Sequence, residues 1–143
     1  MQSSQNPNAR IVALDVGKKR IGVASANVIA RLASPLTTLD VSDNIIEDIK
    51  QLLARETAQA LVIGLPRNLQ GEDTDQTRTV RQFAAGLEKQ ISIPIYWQDE
   101  ALTSHLSKER LKVSQKTYQK GQVDALAATY ILEDYLVSMP DSK

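Results

Sequence analysis

At 143 residues, the chain has the length of one domain, and a domain of this size buries roughly two-thirds of the surface that its unfolded chain exposes. It contains no cysteine, which excludes disulfides, thiolate catalysis and cysteine-ligated metal sites and suits a reducing cytosol. Its 17 basic residues balance its 17 acidic residues, so any binding of nucleic acid must come from local basic patches.

The N-terminal sequence "MQSSQNPNAR" is polar and lacks the basic start and apolar core of a secretory signal. No apolar run in the chain approaches the roughly 20 residues that span a membrane. We therefore expect a cytoplasmic protein that does not enter membranes. Its predicted organisation is a flexible N-terminal tail at 1–9, a folded domain at 10–138 and a C-terminal tail at 139–143.

The first predicted strand carries a carboxylate that needs an explanation. In "IVALDVGKKRIGVAS", residues 11–25, a continuous apolar run leads into Asp15, and such a run is typical of a strand buried on both faces of a sheet. An unpaired buried charge costs several kcal/mol, so Asp15 requires a compensating partner, a role in a turn, or a bound cation. "GKKR" predicts a turn, after which "IGVAS" returns as the second strand of a hairpin.

The rest of the chain alternates between strand and helix. The expected elements are a strand at 31–39, a helix from Ser42, a strand at 60–66, a helix from about Thr74, a strand at 91–97 and a helix at 122–137. Pro35 places the third strand at a sheet edge, because proline cannot donate to a ladder of hydrogen bonds. Three strands followed by helix–strand alternation predict an α/β fold, a single mixed five-stranded sheet with helices on both faces. The ribonuclease H-like fold has this order, whereas a dinucleotide-binding fold would show a glycine-rich strand-to-helix turn.

Acidic residues stand where three of these elements end or begin. Asp15 ends one strand, Asp99 and Glu100 end another, and Asp124 heads the apolar stripe of the last helix. A helix N-terminus alone could explain Asp124, but all of these acids could meet at one sheet edge. Carboxylates gathered in this way suit Mg²⁺, with Mn²⁺ as an alternative, and two such ions roughly 4 Å apart catalyse in-line hydrolysis of a phosphodiester.

Four motifs in order resemble the YqgF/RuvX family, small proteins similar to Holliday junction resolvases. They are "DVGKKRIGVA", "GLPRNLQG", "DEALTS" and "VDALAATYILEDYL", and the resemblance runs from about residue 11 to 136. It implies a ribonuclease H-like nuclease acting on structured nucleic acid, with processing of the 5′ end of pre-16S rRNA in ribosome biogenesis as the role usually attached to the family. It also implies that Asp15, Glu100 and Asp124 are the catalytic, metal-binding acids. The alternatives are a resolvase acting on branched DNA and a non-catalytic RNA-binding factor in ribosome assembly.

The fourth-motif region departs from the family pattern "DERLTT". Ala101 replaces the arginine and Ser104 replaces the second threonine, so a cation that could contact phosphate is missing. The choice between Asp99 and Glu100 as metal ligand is also open from the residues. Strand alternation places Glu100 on the face of Tyr96, but alternation can fail where a strand ends. The family resemblance favours Glu100 and leaves Asp99 as the alternative.

Basic and polar residues near the acids are the candidates for contacting nucleic acid. The set is Lys18, Lys19, Arg20, Arg67, Asn68, Thr103, Ser104, Lys112, Lys116 and Lys120. A run of charge is usually solvated surface, but these runs lie beside the proposed acids, which favours phosphate contact. The only histidine, His105, is expected at the surface or next to the residues of the site, with catalytic proton transfer as the less favoured alternative. Core packing rather than base stacking is the default for Tyr96 or Trp97. The expected oligomeric state is a monomer or a weak homodimer.

Overall fold

The computed structural model describes residues 8–100 and 120–139, which form one five-stranded sheet and three helices. The elements are β1 Arg10–Val16, β2 Arg20–Asn27, β3 Ala33–Asp40, α1 Ile45–Arg55, β4 Ala58–Leu65, α2 Asp75–Glu88, β5 Ile95–Asp99 and α3 Lys120–Ser138. The strand order is β3-β2-β1-β4-β5. Strands β1, β2 and β3 are antiparallel neighbours, whereas β4 is parallel to β1 and β5 is parallel to β4. The predicted mixed sheet is confirmed.

Strand β1 lies in the middle of the sheet, which explains why its sequence is apolar on both faces. Val12 and Leu14 pack into a core covered by α1 and α2, while Ile11 and Ala13 pack into a second core covered by α3. The predicted arrangement with helices on both faces is therefore confirmed. By alternation along the strand, Asp15 shares the α3 face with Ile11 and Ala13.

Several element boundaries differ from the sequence prediction by one to four residues, and two of these differences have clear local reasons. Helix α1 begins at Ile45 rather than Ser42, because the Ser42 carbonyl and hydroxyl instead accept turn hydrogen bonds from the backbone of Ile45 and Asn44. Strand β5 begins at Ile95 rather than residue 91, directly after Pro94, whose carbonyl accepts from Leu61 N–H at 3.0 Å. The edge position predicted for the third strand is confirmed.

The capping of α2 fixes where the polar loop after β4 ends. Thr74 is the N-cap, and its hydroxyl accepts a hydrogen bond from the Thr77 backbone while the Thr77 hydroxyl accepts one from the Thr74 backbone. Reciprocal caps of this kind satisfy amides that the helix leaves unpaired. The Thr77 hydroxyl also donates to the Pro66 carbonyl at the end of β4, so both ends of the loop are tied together.

Core packing of the β5 aromatics is not what the structure shows. Tyr96 keeps 45% of its surface exposed and Trp97 keeps 38%, because β5 is an edge strand with a neighbour on one side only. No helix in the described ranges is both long enough and apolar enough to cross a membrane. Most of the predicted tails, at 1–9 and 139–143, lie outside the described residues.

Candidate active site

A close approach of α3 to the sheet brings Asp124 beside Asp15. Gly22 in β2 is the direct cross-strand partner of Asp15. A Cβ atom on Gly22 would lie 1.8 Å from the backbone oxygen of Asp124 and 3.0 Å from the backbone nitrogen of Ala125. The first turns of α3 can therefore lie against β2 only because residue 22 has no side chain.

A second glycine makes room on the other side of Asp15. Gly64 in β4 follows Ile63, which is paired with Leu14 of β1, so Gly64 lies level with Asp15. A Cβ atom there would meet Ile131 Cδ1 at 2.6 Å and Glu100 Oε1 at 3.1 Å. The Glu100 carboxyl therefore lies on the α3 face, next to the strand that carries Asp15.

Burial and mutual repulsion perturb two of these carboxyl groups. Burial raises the pKa of Asp15 to about 6, and the charge of Asp124 contributes to the rise. Burial likewise raises the pKa of Glu100 to about 8, with further contributions from the charges of Asp15, Asp134 and Asp99. Each raised pKa means that the ionised carboxylate is less stable in the folded protein than in water. The acids of β1, the end of β5 and α3 therefore interact as one electrostatic cluster.

Asp124 differs from the other two acids because it has a cationic partner. Its Oδ2 atom accepts a hydrogen bond from Arg20 Nε at 2.6 Å. Among the described residues, neither Asp15 nor Glu100 forms an ion pair or accepts a hydrogen bond through its side chain. The cluster therefore combines one compensated carboxylate with two that are uncompensated within this part of the chain.

Within residues 8–100 and 120–139, no three histidine, cysteine or acidic side chains lie closely enough together to hold a metal ion. Among the described acids of the site, Asp124 is paired with Arg20, and the charges of the three carboxyl groups repel one another. The metal-ligand assignment of Asp15, Glu100 and Asp124 therefore stays a prediction.

The structure separates Asp99 from Glu100. The Asp99 side chain is exposed and pairs with the guanidinium of Arg67. Tyr96 stacks on Tyr135 of α3, with ring centroids 6.0 Å apart, which shows that alternate residues of β5 face that helix. Alternation then directs Glu100 to the α3 face and Asp99 away from it. The geometry therefore favours Glu100 as the acid of the cluster.

The predicted nucleic-acid contacts fall into three groups. Lys18 and Lys19 are exposed in the turn that follows Asp15, whereas Arg20 pairs with Asp124. Arg67 and Asn68 are engaged within the β4–α2 loop, where the Asn68 carboxamide oxygen accepts from two backbone amides. The remaining candidates and His105 lie outside the described residues, except that Lys120 begins α3. They are Thr103, Ser104, Lys112 and Lys116.

Three contributors to the site were not predicted from the sequence. Asp134 raises the pKa of Glu100 through its charge, and Gly22 and Gly64 make the close approaches. Helical spacing offered a signal for Asp134, since it lies three residues after Ile131 of the buried stripe of α3 and residues three apart share a helix face. A glycine within each of two apolar strands offered a signal for close backbone approach.

Comparisons with known proteins agree with this architecture. A family model described as RuvX, Holliday junction resolvase, matches residues 9–138. A protein of Gloeothece citriformis named "Putative pre-16S rRNA nuclease" is 39% identical over 127 residues, which cover 86% of this chain and 84% of the relative. A Rickettsia felis protein of the same name is 38% identical over 138 residues, covering 93% and 89% of the two chains.

Solved structures of resolvases share the fold. Thermus thermophilus RuvC in complex with a Holliday junction substrate matches with a TM-score of 0.55 and 14% identity, covering 89% of this chain and 94% of that one. The fowlpox virus Holliday junction resolvase matches with a TM-score of 0.57 and 14% identity, covering 91% and 99%. At such low identity the likeness concerns the fold, and the predicted ribonuclease H-like architecture is confirmed.

Proposed function

The chain belongs to the RuvX family of Holliday junction resolvases, and from that membership we propose that it is a metal-dependent nuclease that processes the 5′ end of pre-16S rRNA. The observation that carries the proposal is the pair of partly buried, mutually repelling carboxylates, Asp15 and Glu100, placed beside Asp124. The names of the curated relatives supply the substrate. This role places the protein in the cytoplasm.

The chemistry of the cluster fits a hard divalent cation. Its donors are carboxylate oxygens, which Mg²⁺ and Mn²⁺ prefer. Asp15 and Glu100 have no cationic partner within the described residues, and burial raises the pKa of both groups. A positive ion among Asp15, Glu100 and Asp124 would therefore relieve an existing electrostatic cost. When bound, such an ion supplies Lewis-acid stabilisation of the charge that develops on a phosphate oxygen.

The residues of the chain contribute binding and orientation around that centre. Lys18 and Lys19 are exposed in the turn directly after Asp15, where their ammonium groups attract phosphates of the substrate. The packing of α3 over Gly22, the cross-strand partner of Asp15, places the first turns of that helix beside Asp15. Arg20 neutralises Asp124, which limits the total negative charge that an approaching phosphate meets.

Branched DNA is the second candidate substrate, because the matching family model is described as a Holliday junction resolvase. A ribosome-assembly factor that binds RNA without cutting it is the non-catalytic candidate, and it gains support from Ala101, which stands where the family pattern has arginine. Both candidates would use the basic turn at Lys18 and Lys19. Only the two nuclease candidates would need the acids.

A cleavage assay distinguishes the three candidates. Labelled pre-16S rRNA and a four-way DNA junction are each incubated with the protein in Mg²⁺, in Mn²⁺ and in chelator. We expect cleavage near the 5′ end of the mature 16S sequence that requires the ion and is absent in chelator. Cleavage of the junction alone would favour the resolvase, and binding of the RNA without ion-dependent cleavage would favour the assembly factor.

A further inference from the structure

We infer that Arg67 is a positioning residue that holds Glu100 in the acid cluster through its ion pair with the neighbouring residue, Asp99. The inference rests on the proposed nuclease function. Arg67 was predicted from the sequence to contact nucleic acid, but its guanidinium is engaged within the protein. It donates to the Asp99 carboxylate and to the Gly71 carbonyl at 3.1 Å. It also lies 4.0 Å from the Asp73 carboxylate.

The ion pair between Arg67 and Asp99 lies at the point where β5 ends. Asp99 is the last residue of β5 and pairs with Leu65 of β4. The next residue, Glu100, donates its backbone N–H to the Leu65 carbonyl at 3.1 Å. Within the described residues this is the last backbone hydrogen bond between this end of β5 and β4. The Arg67 contact with Asp99 therefore restrains the residue from which the Glu100 side chain is oriented.

Glu100 needs such a restraint because its carboxyl lies in a narrow space. A Cβ atom on Gly64 would lie 3.1 Å from Glu100 Oε1 and 2.6 Å from Ile131 Cδ1, so a small shift of the strand end would displace the carboxyl from Asp15. Arg67 links the end of β5 to the β4–α2 loop, since it contacts both the Asp99 carboxylate and the Gly71 carbonyl. Loss of the guanidinium would free Glu100 to move away from Asp15, which separates the two uncompensated acids.

The loop that supplies Arg67 is itself braced. Asp73 forms an ion pair with Arg81 of α2, with 3.4 Å between Oδ2 and Nε, and the Arg81 guanidinium lies 5.9 Å from the centre of the Trp97 ring. The loop, α2 and β5 are thus joined by alternating charges around Arg67. Because Arg67 contacts several groups of the protein, its side chain is better suited to holding the end of β5 in position than to binding a substrate.

The test compares Arg67→Gln with Arg78→Gln. Arg78 is a matched control, because it also pairs with an aspartate, Asp75, but both residues lie at the exposed start of α2. We expect Arg67→Gln to lower kcat at least about tenfold, since misplacement of a reacting group by about 1 Å can cost a hundredfold. KM should stay within about twofold of wild type, because substrate binding would be retained. Arg78→Gln should change neither parameter.

Amide hydrogen exchange gives a second measurement that needs no catalysis. In Arg67→Gln, exchange at the Glu100 amide should quicken several-fold, while exchange at the Asp15 amide in β1 stays unchanged. Exchanging the partners, Arg67→Asp with Asp99→Arg, should restore much of the lost kcat and of the Glu100 protection. Such rescue requires a direct interaction between the two side chains.

Two outcomes would overturn the inference. A rise in KM with kcat unchanged would make Arg67 a substrate contact, and unchanged exchange at Glu100 would remove the positioning role. If the wild-type protein cleaves no nucleic acid, the proposed function fails. The exchange measurement would then still decide whether Arg67 holds Glu100.

Discussion

Two sets of acids lie at the same end of the sheet but on opposite faces, and they differ in whether an arginine pairs with them. On the α2 face, Asp73, Asp75 and Asp99 all pair with arginines. On the α3 face, Asp15 and Glu100 have no such partner among the described residues, and burial raises the pKa of both. The paired acids contribute to the stability of the fold, whereas the uncompensated acids reduce it. Uncompensated, desolvated acids are typical of functional sites.

The energetic contrast follows from solvent exposure. Ion pairs on an exposed surface, such as Asp75 with Arg78, contribute about 0–1 kcal/mol each. A desolvated carboxylate beside other carboxylates opposes folding, because its charged form is less stable in the protein than in water. Substitution of an uncompensated acid on the α3 face should therefore abolish function, whereas substitution of an exposed pair such as Asp75 and Arg78 should change little. Asp99 is the exception on the α2 face, because its partner Arg67 is inferred to position Glu100.

The largest expected effect is loss of cleavage in Asp15→Asn. The substitution removes a proposed metal ligand, so the rate of hydrolysis should fall at least about a hundredfold. Affinity for RNA should be unchanged or higher, because one negative charge near the phosphates has gone. Asp75→Asn, which alters a paired acid on the α2 face, serves as the control. Equal activity of the two variants, measured by single-turnover cleavage, would remove the distinction between the faces.

Substitution of Gly22 tests whether the α3 face depends on close approach. In Gly22→Ala the new Cβ would lie 1.8 Å from the Asp124 backbone oxygen, so α3 must move or the fold must yield. We expect a loss of about 3 kcal/mol or more in the free energy of unfolding, at the upper end of overpacking costs. Gly86 in α2 is the control, because its nearest neighbour would be Ile46 Cδ1 at 3.7 Å. Gly86→Ala should stabilise by up to about 1 kcal/mol, as measured by urea unfolding.

The dependence of stability on pH should come mainly from the α3 face. The folded protein raises the pKa of Asp15 from 3.8 to about 6 and that of Glu100 from 4.5 to about 8, so it binds protons more tightly than the unfolded chain does. The free energy of unfolding should therefore fall as pH rises from about 4 to 8. Glu100→Gln should flatten this fall between about pH 5 and 8, whereas Asp75→Asn should leave it unchanged. Chemical unfolding at a series of pH values would contradict this if both variants kept the wild-type slope.

The smallest expected effect concerns the exposed turn beside the acids. Lys18→Ala with Lys19→Ala should weaken RNA binding a few-fold and reduce the salt slope by roughly one to two, because fewer counterions are released. The unfolding free energy should barely change, since exposed lysines contribute little to stability. An unchanged salt slope in a filter-binding titration would show that these lysines do not contact the substrate.

Local patterns in the sequence were sufficient to predict the fold and much of the acid cluster. The apolar run around Asp15 predicted a central strand, and alternation along β5 placed Glu100 on the face of Tyr96, as the structure shows. The pairing of Arg20 with Asp124 could not be predicted, because it joins residues 104 positions apart. The Arg67 contact with Asp99 likewise depends on which loop lies beside which strand. Raised pKa values require burial by several elements at once, which no single motif contains.

Thermal unfolding at pH 8, with and without millimolar Mg²⁺ or Mn²⁺, tests most directly whether the uncompensated acids form a cation site. A ligand that binds only the folded protein raises Tm, because it stabilises that state by an amount that grows with the logarithm of the ratio of its concentration to Kd. We predict that the ion raises the Tm of the wild type by a few degrees, that Asp15→Asn loses this rise and that Asp75→Asn keeps it. A wild-type Tm unmoved by either ion, or an equal rise in Asp15→Asn, would contradict the assignment of these acids to a metal-dependent active site.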